Sequence, residues 1–544
     1  MLSLKPQDIA CLEQSPWFDA QWYLAQYPDV EVSGLSAEAH YLTFGESWSR
    51  WAGPRFDAGF YLKRYQDVAR AGVSPLLHFI RNGEKEGRWP LELSAQRYEE
   101  LLWQLEQKEK ALTQLEMLTR HTDAWEASYA AWALARWYAW QGDWAGCAKF
   151  LKGRYDLAER KPDTPATYLL EIEALTRQGL LLEAYARLEA LQTRYSDYQD
   201  TYLAMANLLL TQQAMLEDEL TGTSVPSAKH RQFNEQLRLS HINAMYKRNA
   251  LIPLALLDPT QPLSLDNLTV PAQPELAQAS SLEKPLLVSV IVPVFNAEKH
   301  LETALRSLAN QTHTAIEVIM VDDASTDVSV AIAEQFCQDD TRFKLLRQRR
   351  NQGAYAARNL GLKEANGEYI TIHDSDDWSH PQKIEVQLEG LNNNKHWMAC
   401  CSDMVRCRDN LRFGRWRIEE KDGWVYRNTS SLMLRRSVIE TLGFWDNVRC
   451  TADTEYLNRI RAAYGAKAFG EVFKQVPLSF CRDQQDSLSQ AGPTHLVTQF
   501  KGVRFDYIQA AAQWHARAKQ PGDLYLSANP EARPFPAPAA NLPG

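Results

Sequence analysis

The 544-residue sequence lacks the long apolar run that a membrane-spanning helix requires. Its longest strongly apolar stretch covers residues 285–295, whereas a bilayer needs about 20 residues. The N-terminal residues show no basic region followed by an apolar one, so no secretory signal is predicted. No tract of five or more basic residues occurs and the formal net charge is -9, which argues against DNA or RNA as a partner. We therefore expect a cytoplasmic protein with no transmembrane segment.

Cysteine is scarce, and the common nucleotide- and metal-binding motifs are missing. The 8 cysteines include no CxxC pair, which argues against a disulfide scaffold and against a structural zinc site. The sequence contains no GxxxxGKS/T, GxGxxG, GxSxG or HExxH motif. Any nucleotide chemistry must therefore use carboxylates and a metal ion, because no glycine-rich phosphate cradle is present.

Residues 1–92 contain one aromatic-rich unit twice, at a constant offset of 38 residues. Each copy is predicted to form two short helices joined by a turn. The rings could form a docking or glycan-binding module, but aromatic residues at helical spacing usually fill cores. We therefore favour two small aromatic cores. The residues that recur include Tyr23 and Tyr61, Asp29 and Asp67, His40 and His78, and Arg50 and Arg88.

Residues 93–250 are predicted to be helical throughout. Two segments show a helix, a glycine turn at Gly142 or Gly179, and a second helix, a pattern that resembles degenerate tetratricopeptide repeats. Such stacked helix pairs serve either as a docking surface for a protein partner or as a spacer. Frequent prolines predict a linker over residues 251–285 and a disordered tail over residues 516–544.

Strands and helices alternate over residues 286–515. Crossovers of this length predict a mostly parallel, doubly wound sheet, in which ligands bind at the carboxyl ends of the strands. The chain is thus predicted to be multidomain, with an α-helical N-terminal half followed by an α/β domain. The polar residues that follow predicted strands are Asn296, Asp322, Asp323, Asp374 and Asp376.

The most specific local signal is the cluster His373-Asp374-Ser375-Asp376-Asp377. Several carboxylates within four residues repel each other unless a cation or solvent compensates their charge. Hard oxygen ligands suit Mg²⁺ or Mn²⁺, and such an ion can also bridge to a diphosphate. An Asp-x-Asp pair is a weak signal alone, but its position directly after a buried strand favours a divalent metal site.

Four ordered motifs carry a resemblance to a known family. VSVIVPVFN, VDDASTD, NQGAYAARNLGL and GEYITIHDSDDW resemble the catalytic domain of family-2 glycosyltransferases, which has the GT-A fold. The likeness runs from about residue 286 to about residue 489. It implies transfer of a sugar from a nucleotide-diphosphate donor to an acceptor hydroxyl, with inversion at the anomeric carbon.

The same resemblance implies roles for individual residues. Those that match the family's donor site are Pro293, Phe295 and Asn296 beside the nucleotide, Asp322 and Asp323 at the base and ribose, and the metal-binding pair Asp374 and Asp376. Of that pair, Asp376 is the expected direct metal ligand. Arg358 and Arg482 resemble family positions near the donor, the latter in a late loop that can fold over it, although surface salt bridges would also explain them.

The segment GFWDNVRCTADTEYLNRI resembles a later acidic motif of the family. In that motif a Glu–Asp pair precedes a helix, and the Asp is the general base. Here the pair is Ala452-Asp453, so Asp453 alone matches, and Glu455 is a rival candidate. A helix N-cap is the structural alternative for Asp453. His373 and His495 are weaker candidates for an additional metal ligand.

These observations favour a metal-dependent inverting glycosyltransferase of bacterial surface polysaccharide or glycoconjugate synthesis. The resemblance favours a UDP-sugar donor and a glycan or lipid-linked acceptor, the latter bringing the protein to the inner face of the cell membrane. A sugar nucleotidyltransferase is an alternative, although VPVFNAEKH is not the glycine-rich basic signature that it needs. The missing Glu before Asp453 leaves a catalytically inactive scaffold of a glycan-assembly complex as a further alternative.

Overall fold

A computed structural model of the chain describes residues 5–154, 157, 159, 161–220, 228–271, 286–483 and 492–543. The chain forms two compact units, one of residues 1–102 and 109–130 and the other of residues 103–108 and 131–544. Parts of two predicted segments lie outside the described residues. These are residues 272–285 of the proline-rich linker and residues 484–491 of the late loop after Arg482.

The first unit is helical. It includes two π-helical turns, at Tyr41–Gly45 and at Phe79–Gly83. The helices are α1 (Pro6–Glu13), α2 (Ala20–Gln26), α3 (Asp29–Ser33), α4 (Ala37–His40), α5 (Ala58–Arg64), α6 (Gln66–Ala71), α7 (Pro75–His78), α8 (Ser94–Trp103) and α9 (Lys108–Leu118).

The recurring residues make corresponding contacts in the two copies. Tyr23 Oη lies 3.1 Å from His40 Nδ1, and Tyr61 Oη lies 3.0 Å from His78 Nδ1. Arg50 pairs with Asp29 at 2.7 Å and Arg88 pairs with Asp67 at 2.8 Å. The buried rings of both copies form a single core rather than two, and that core includes Phe18, Tyr23, Phe56 and Tyr61.

In the helical part of the second unit, two pairs of successive helices are joined by short turns at Gly142 and Gly179. Gly142 and Gly179 have φ values of 78° and 74°, a left-handed conformation that ends one helix and that glycine adopts without strain. No helix in the described part of the chain is long and apolar enough to cross a membrane. The helices are α10 (Ala124–Trp140), whose residues 124–130 belong to the first unit, α11 (Trp144–Gly153), α12 (Pro165–Arg177), α13 (Leu181–Arg194), α14 (Asp200–Leu220) and α15 (Ala228–Arg248).

The α/β part of the second unit follows the predicted alternation. Its strands are β1 (Ala255–Leu256), β2 (Leu268–Thr269), β3 (Val288–Val294), β4 (Ile316–Asp322), β5 (Phe343–Arg347), β6 (Tyr369–Ile372), β7 (Trp378–Ser379), β8 (Ala399–Cys401), β9 (Asp403–Cys407), β10 (Phe413–Gly414), β11 (Tyr426–Arg427), β12 (Met433–Arg435), β13 (Phe469–Glu471) and β14 (Pro477–Arg482). Its helices are α16 (Leu301–Ala309), α17 (Ser329–Asp339), α18 (Ala354–Glu364), α19 (Lys383–Asn393), α20 (Arg436–Leu442), α21 (Ala452–Tyr464) and α22 (Val503–His515).

The main sheet has seven strands in the order β13-β8-β12-β6-β3-β4-β5. All neighbours are parallel except those of β12, which runs antiparallel to β6 and β8. Both faces are covered, since Ile291 of β3 packs in one core with α18 and α21 while Val290 and Val292 pack in another with α16 and α19. The predicted fold class, a helical half followed by an α/β domain with a mostly parallel sheet, is confirmed.

A second, smaller sheet has the order β10-β9-β14-β7, with β11 also paired to β9. The segment ACCSDMVRC is divided at Ser402 between the two sheets, with β8 in the main sheet and β9 in the smaller one. Its three cysteines, Cys400, Cys401 and Cys407, are buried in the core.

The proline-rich segments pack against the α/β domain. Residues 251–271 contain the β1–β2 pair, and Ile252 O lies 2.9 Å from His380 Nε2. The prediction of a disordered tail over residues 516–544 is wrong for the described residues 516–543. Leu524 and Phe535 are buried in the main core and anchor this segment.

Candidate active site

The carboxyl ends of β3, β4 and β6 bring the predicted polar residues to one edge of the main sheet. These three parallel strands are neighbours, with Val294 paired to Asp322 and Ile291 paired to Ile372. The residues that follow these three strands therefore lie at the same edge of the sheet, as the alternation of strands and helices predicted. They include Phe295 after β3, Asp323 after β4 and Asp374 after β6.

Two cavities open at this edge. The first cavity, of about 730 Å³, is lined by Pro293, Phe295, Asp323 and the loop 351–353. The second cavity, of about 890 Å³, is lined by residues that include Arg358, Asp453 and Arg482. The residues that line both cavities are Ala354, Asp374, Asp376 and Arg449. The Asp-x-Asp pair thus lies where the two cavities meet.

Asp323 fixes the loop that closes one side of the first cavity. Its carboxylate accepts hydrogen bonds from the backbone N–H of Gln352 at 2.8 Å and of Gly353 at 2.7 Å. Burial raises the pKa of Asp323, and the two N–H groups partly offset that rise. The same contacts position the N-terminus of α18 beside the Asp-x-Asp pair.

Asn296 and Asp322, both predicted to contact the donor, line neither cavity. Asn296 has a φ of 47° and its side-chain oxygen accepts the Thr326 N–H at 2.8 Å. Asp322 is buried and accepts the Ser325 N–H at 3.2 Å. Both side chains therefore shape the turns after β3 and β4.

Three carboxyl groups lie close together after β6. Burial would raise the pKa of Asp374, but the charge of Arg358, 2.6 Å away, holds it below its usual value. Burial, followed by the charge of Asp374, raises the pKa of Asp376 to about 6. Burial and the charge of Asp376 raise the pKa of Asp377 to about 8. The cluster is thus costly to ionise fully without a further cation.

The acidic cluster fits a divalent ion that substrate oxygens help to hold. Among the described residues, no group of three or more His, Cys, Asp or Glu side chains forms a metal site. Asp374 and Asp376 nevertheless present hard oxygen atoms to both cavities. Mg²⁺ is commonly bound through one or two carboxylates plus substrate phosphates and water, so two protein ligands suffice.

Arg358 and Arg482 both lie in the second cavity, yet both are already paired. Arg358 forms the ion pair with Asp374. Arg482 pairs with Asp266 and Asp409, and its Nε donates to Asp376 O at 2.9 Å. Arg482 therefore braces the backbone of the Asp-x-Asp pair.

The two candidates for the general base differ in placement. Asp453 lies in the first turn of α21, half-buried, and faces the second cavity. Glu455 is fully buried, pairs with Arg459 at 2.7 Å and His515 at 2.9 Å, and lines neither cavity. The N-cap of α21 is Thr451, so the capping alternative for Asp453 is wrong.

His373 and His495, the additional metal-ligand candidates, line neither cavity. His373 is buried with Nδ1 2.8 Å from Asp374 O, and burial lowers its pKa to about 3. His495 Nδ1 accepts the Val497 N–H at 3.0 Å and belongs to a turn before α22.

Sequence reasoning missed Arg449 and most of the second cavity. Arg449 lines both cavities, and in the described part of the chain no ion pair of its guanidinium is found. Its position four residues before Asp453 is the only signal that the sequence offers. The other wall is formed by residues between 415 and 430, including Arg415, Trp416 and Tyr426, in a segment without a recognisable motif.

The sequence comparisons identify the α/β domain. Residues 289–445 match the model of the family described as Glycosyl transferase family 2. The chain is 45% identical over 108 residues to an uncharacterized glycosyltransferase of Haemophilus influenzae, covering 20% of this chain and 43% of that protein. It is 43% identical over 113 residues to the putative glycosyltransferase EpsH of Bacillus subtilis, covering 21% and 33% respectively. The matches thus span less than half of these relatives.

Solved structures are more distant. S. aureus TarS 1-349 in complex with UDP has a TM-score of 0.31 and 21% identity, over 37% of this chain and 61% of that one. The mannosyltransferase PcManGT from Pyrobaculum calidifontis with GDP-Man and Mn²⁺ has a TM-score of 0.28 and 18% identity, over 36% and 58%. The sequence matches place residues 289–445 in the family-2 glycosyltransferases, as the four motifs predicted.

Proposed function

We propose that the protein is a metal-dependent inverting glycosyltransferase that moves a sugar from a nucleotide-diphosphate donor to a glycan or lipid-linked acceptor hydroxyl. The observation that supports this most is the meeting of two cavities at Asp374 and Asp376, with Asp453 facing only one of them. Transfer between two substrates needs two adjoining sites with the reacting groups at their junction.

The donor would occupy the first cavity. Phe295 is 48% exposed at its edge and offers a ring face to the base, while Pro293 and the loop 351–353 form the neighbouring wall. A nucleotide held there directs its diphosphate toward the Asp-x-Asp pair. Arg449, at the same junction and without an ion pair among the described residues, is the cation best placed to contact the diphosphate.

Asp376 and Asp374 would hold the divalent ion. When bound, Mn²⁺ or Mg²⁺ supplies positive charge to the diphosphate as it leaves. Asp374 shares its carboxylate with Arg358, which keeps it ionised and ready to accept a metal. Arg482 holds the backbone of Asp376 in place through its bond to the carbonyl oxygen.

Asp453 would act as the general base on the acceptor side. A hydroxyl bound in the second cavity loses its proton to the Asp453 carboxylate as its oxygen attacks the anomeric carbon. Attack from the second cavity while the diphosphate departs toward the first gives inversion. The placement of Asp453 in the cavity and of Glu455 in a buried ion pair favours Asp453 as the base.

The cellular setting is proposed on the family resemblance. We place the enzyme in bacterial surface polysaccharide or glycoconjugate synthesis, in the cytoplasm or at the inner face of the membrane. A UDP-sugar is the favoured donor, and the helical repeats are candidates for binding a protein partner.

A screen of nucleotide sugars for donor hydrolysis, with and without Mn²⁺, tests the proposal. We expect metal-dependent release of a nucleoside diphosphate from one donor. Release of pyrophosphate from a nucleoside triphosphate and a sugar phosphate would instead favour a sugar nucleotidyltransferase. Absence of metal-dependent nucleotide binding in calorimetry would favour an inactive scaffold.

A further inference from the structure

One wall of the second cavity belongs to a segment that has little regular structure. We define the wall segment as residues 409–428, which lie between β9 and the short turn, residues 429–431, that precedes β12. It contains only the two-residue strands β10 and β11, yet it contributes Arg415, Trp416, Glu419 and Tyr426 to the cavity lining. Its own backbone pairing is too short to fix it, so its position depends on what packs behind it.

Asn207 of α14 binds the backbone of the wall segment through its side-chain amide, in the way that the backbone of a neighbouring strand would. Its amide nitrogen donates to Phe413 O at 2.8 Å, and its amide oxygen accepts the Phe413 N–H at 2.9 Å. Both groups are buried. A single helical side chain thus satisfies both backbone hydrogen-bonding groups of one residue in β10.

Asp200 and Glu173 hold the other end of the wall segment. Asp200, the first residue of α14, accepts the backbone N–H groups of Trp424 and Val425, each at 3.1 Å. Glu173 of α12 accepts the Trp424 indole N–H at 3.0 Å. A Cβ atom at Gly423 would collide with the ends of the Tyr198 and Asp200 side chains, so a larger residue would displace them from this close approach.

Arg238 of α15 supports the beginning of the wall segment, just after β9. It is almost fully buried and donates to Asn410 O at 2.7 Å and to Ala206 O at 3.2 Å. The neighbouring Leu411 has a φ of 55°, a strained conformation for leucine that needs support from its surroundings. The Arg238 guanidinium also donates to Leu411 O at 3.3 Å and so provides this support.

We propose that helices α12, α14 and α15 are a positioning element for the acceptor side of the active site. They fix the wall segment through four buried polar side chains, whereas the first cavity is built on the main sheet and does not touch them. This inference rests on the proposed function, because it assigns the second cavity to the acceptor. Loosening the wall segment should therefore impair acceptor use and spare donor binding.

Asn207→Ala is the test variant, and Asn234→Ala is its matched control. Asn234 is an asparagine of α15 that donates to Leu209 O at 3.1 Å and Gln213 at 2.9 Å, within the helices and away from the wall segment. Asn207→Asp keeps the acceptor for the Phe413 N–H and loses the donor. These variants separate loss of the wall contact from loss of helix stability.

Three measurements on the full chain decide the question. They are hydrogen exchange of peptides from residues 409–428, calorimetric binding of UDP-sugars with Mn²⁺, and the ratio of transfer onto methyl glycosides to hydrolysis by water. For Asn207→Ala we expect at least tenfold faster exchange in those peptides, nucleotide affinity within twofold of the parent, and at least a tenfold lower ratio. For Asn207→Asp we expect an exchange rate and a transfer ratio between those of Asn207→Ala and the parent protein. Asn234→Ala should match the parent protein in all three measurements.

Unchanged exchange in Asn207→Ala, or equal loss of donor binding and transfer, would overturn the proposal. The same changes in Asn234→Ala would also overturn it, because they would reflect general destabilisation. A parent protein that neither binds nor hydrolyses any nucleotide sugar would reject the proposed function itself. In that case the exchange data would still show whether the helices hold the wall segment.

Discussion

Asp376 lies at the junction of the two cavities, next to a carboxylate that already has a cationic partner. Replacing Asp376 with alanine removes the carboxylate of the Asp-x-Asp pair that is not bonded to Arg358. We expect Asp376→Ala to lower Mn²⁺-dependent affinity for the nucleotide-sugar donor more than tenfold while the chain stays folded. Calorimetry with and without Mn²⁺ checks this, and Asp339→Asn on the exposed end of α17 is the control. Equal affinities would remove Asp376 from the metal site.

Asp453 has a carboxylate whose loss should affect chemistry and not folding. Its side chain accepts the neighbouring Thr454 N–H at 2.7 Å and lies 3.5 Å from the Thr454 hydroxyl, and Asn can accept the same bonds. We expect Asp453→Asn to lower kcat for transfer roughly 10²- to 10⁴-fold, the usual contribution of a general base, with donor KM nearly unchanged. Steady-state kinetics at saturating donor checks this. Full turnover would show that another group takes the proton.

Glu455, two residues on, should behave in the opposite way. Its charge is fully buried between Arg459 and His515, so Glu455→Gln leaves Arg459 without its carboxylate partner. We expect a loss of about 3–5 kcal/mol in the free energy of unfolding, as for other broken buried pairs. Urea unfolding measures it. The remaining folded fraction should keep its kcat. A folded but inactive variant would instead indicate that Glu455 is the general base.

At the scale of elements, the strands that carry the Asp-x-Asp pair could be predicted because local patterns encode them. β3 and β4 are runs of buried residues rich in β-branched side chains, and α16, the helix between them, has one apolar face, so the parallel sheet follows from the sequence. Its edge then collects Phe295, Asp323 and Asp374. Asn296 and Asp322 have the same local pattern, and only the three-dimensional path of their turns excludes them from the cavities.

The wall segment could not be predicted, because contacts far away in the chain determine it. Asn207 and Phe413 are 206 residues apart, and Asp200 and Trp424 are 224 apart. The division of the cysteine-rich strand at Ser402 has a similar origin. Ser402 donates to Ser431, so the chain leaves the main sheet at a contact that local periodicity does not show.

The contact between α14 and the wall segment should depend on pH. Burial raises the pKa of Asp200 to about 7 from an ordinary value of 3.8, while the Val425 and Trp424 N–H groups, Tyr198 and Arg415 oppose that rise. Between these values the unfolded chain loses a proton that the folded chain keeps. The free energy of unfolding should therefore fall as pH rises from about 4 to about 7, by up to about 4 kcal/mol, and then level off.

Asp200→Asn should remove this dependence. An amide resembles the protonated carboxyl group and still offers an oxygen to the Trp424 and Val425 N–H groups. We expect the unfolding free energy of the variant to change less between pH 5 and pH 8 than that of the parent protein. Urea unfolding at several pH values measures both slopes, and identical slopes would show that Asp200 is ionised throughout this range.

At the scale of the whole molecule, residues distant in sequence hold the loops around the second cavity from several sides. The linker brings Asp266 to Arg482 behind the Asp-x-Asp pair. The C-terminal residues reach the loop before α21, where Asn541 O accepts the Arg449 N–H at 2.7 Å. The disorder predicted from proline content failed here because a few buried residues, Phe535 among them, anchor the segment.

Asn541 tests whether this C-terminal anchor reaches the active site. Its side chain is fully buried and its Oδ1 accepts the Cys450 N–H at 3.0 Å, directly between Arg449 and Thr451. Asn541→Ala leaves that buried N–H without an acceptor, which costs about 1–3 kcal/mol and frees the loop that carries Arg449. We expect a lower unfolding free energy by urea and a raised donor KM. Asn541→Asp keeps the acceptor and should lose less, whereas equal losses in both variants would point to packing rather than to the hydrogen bond.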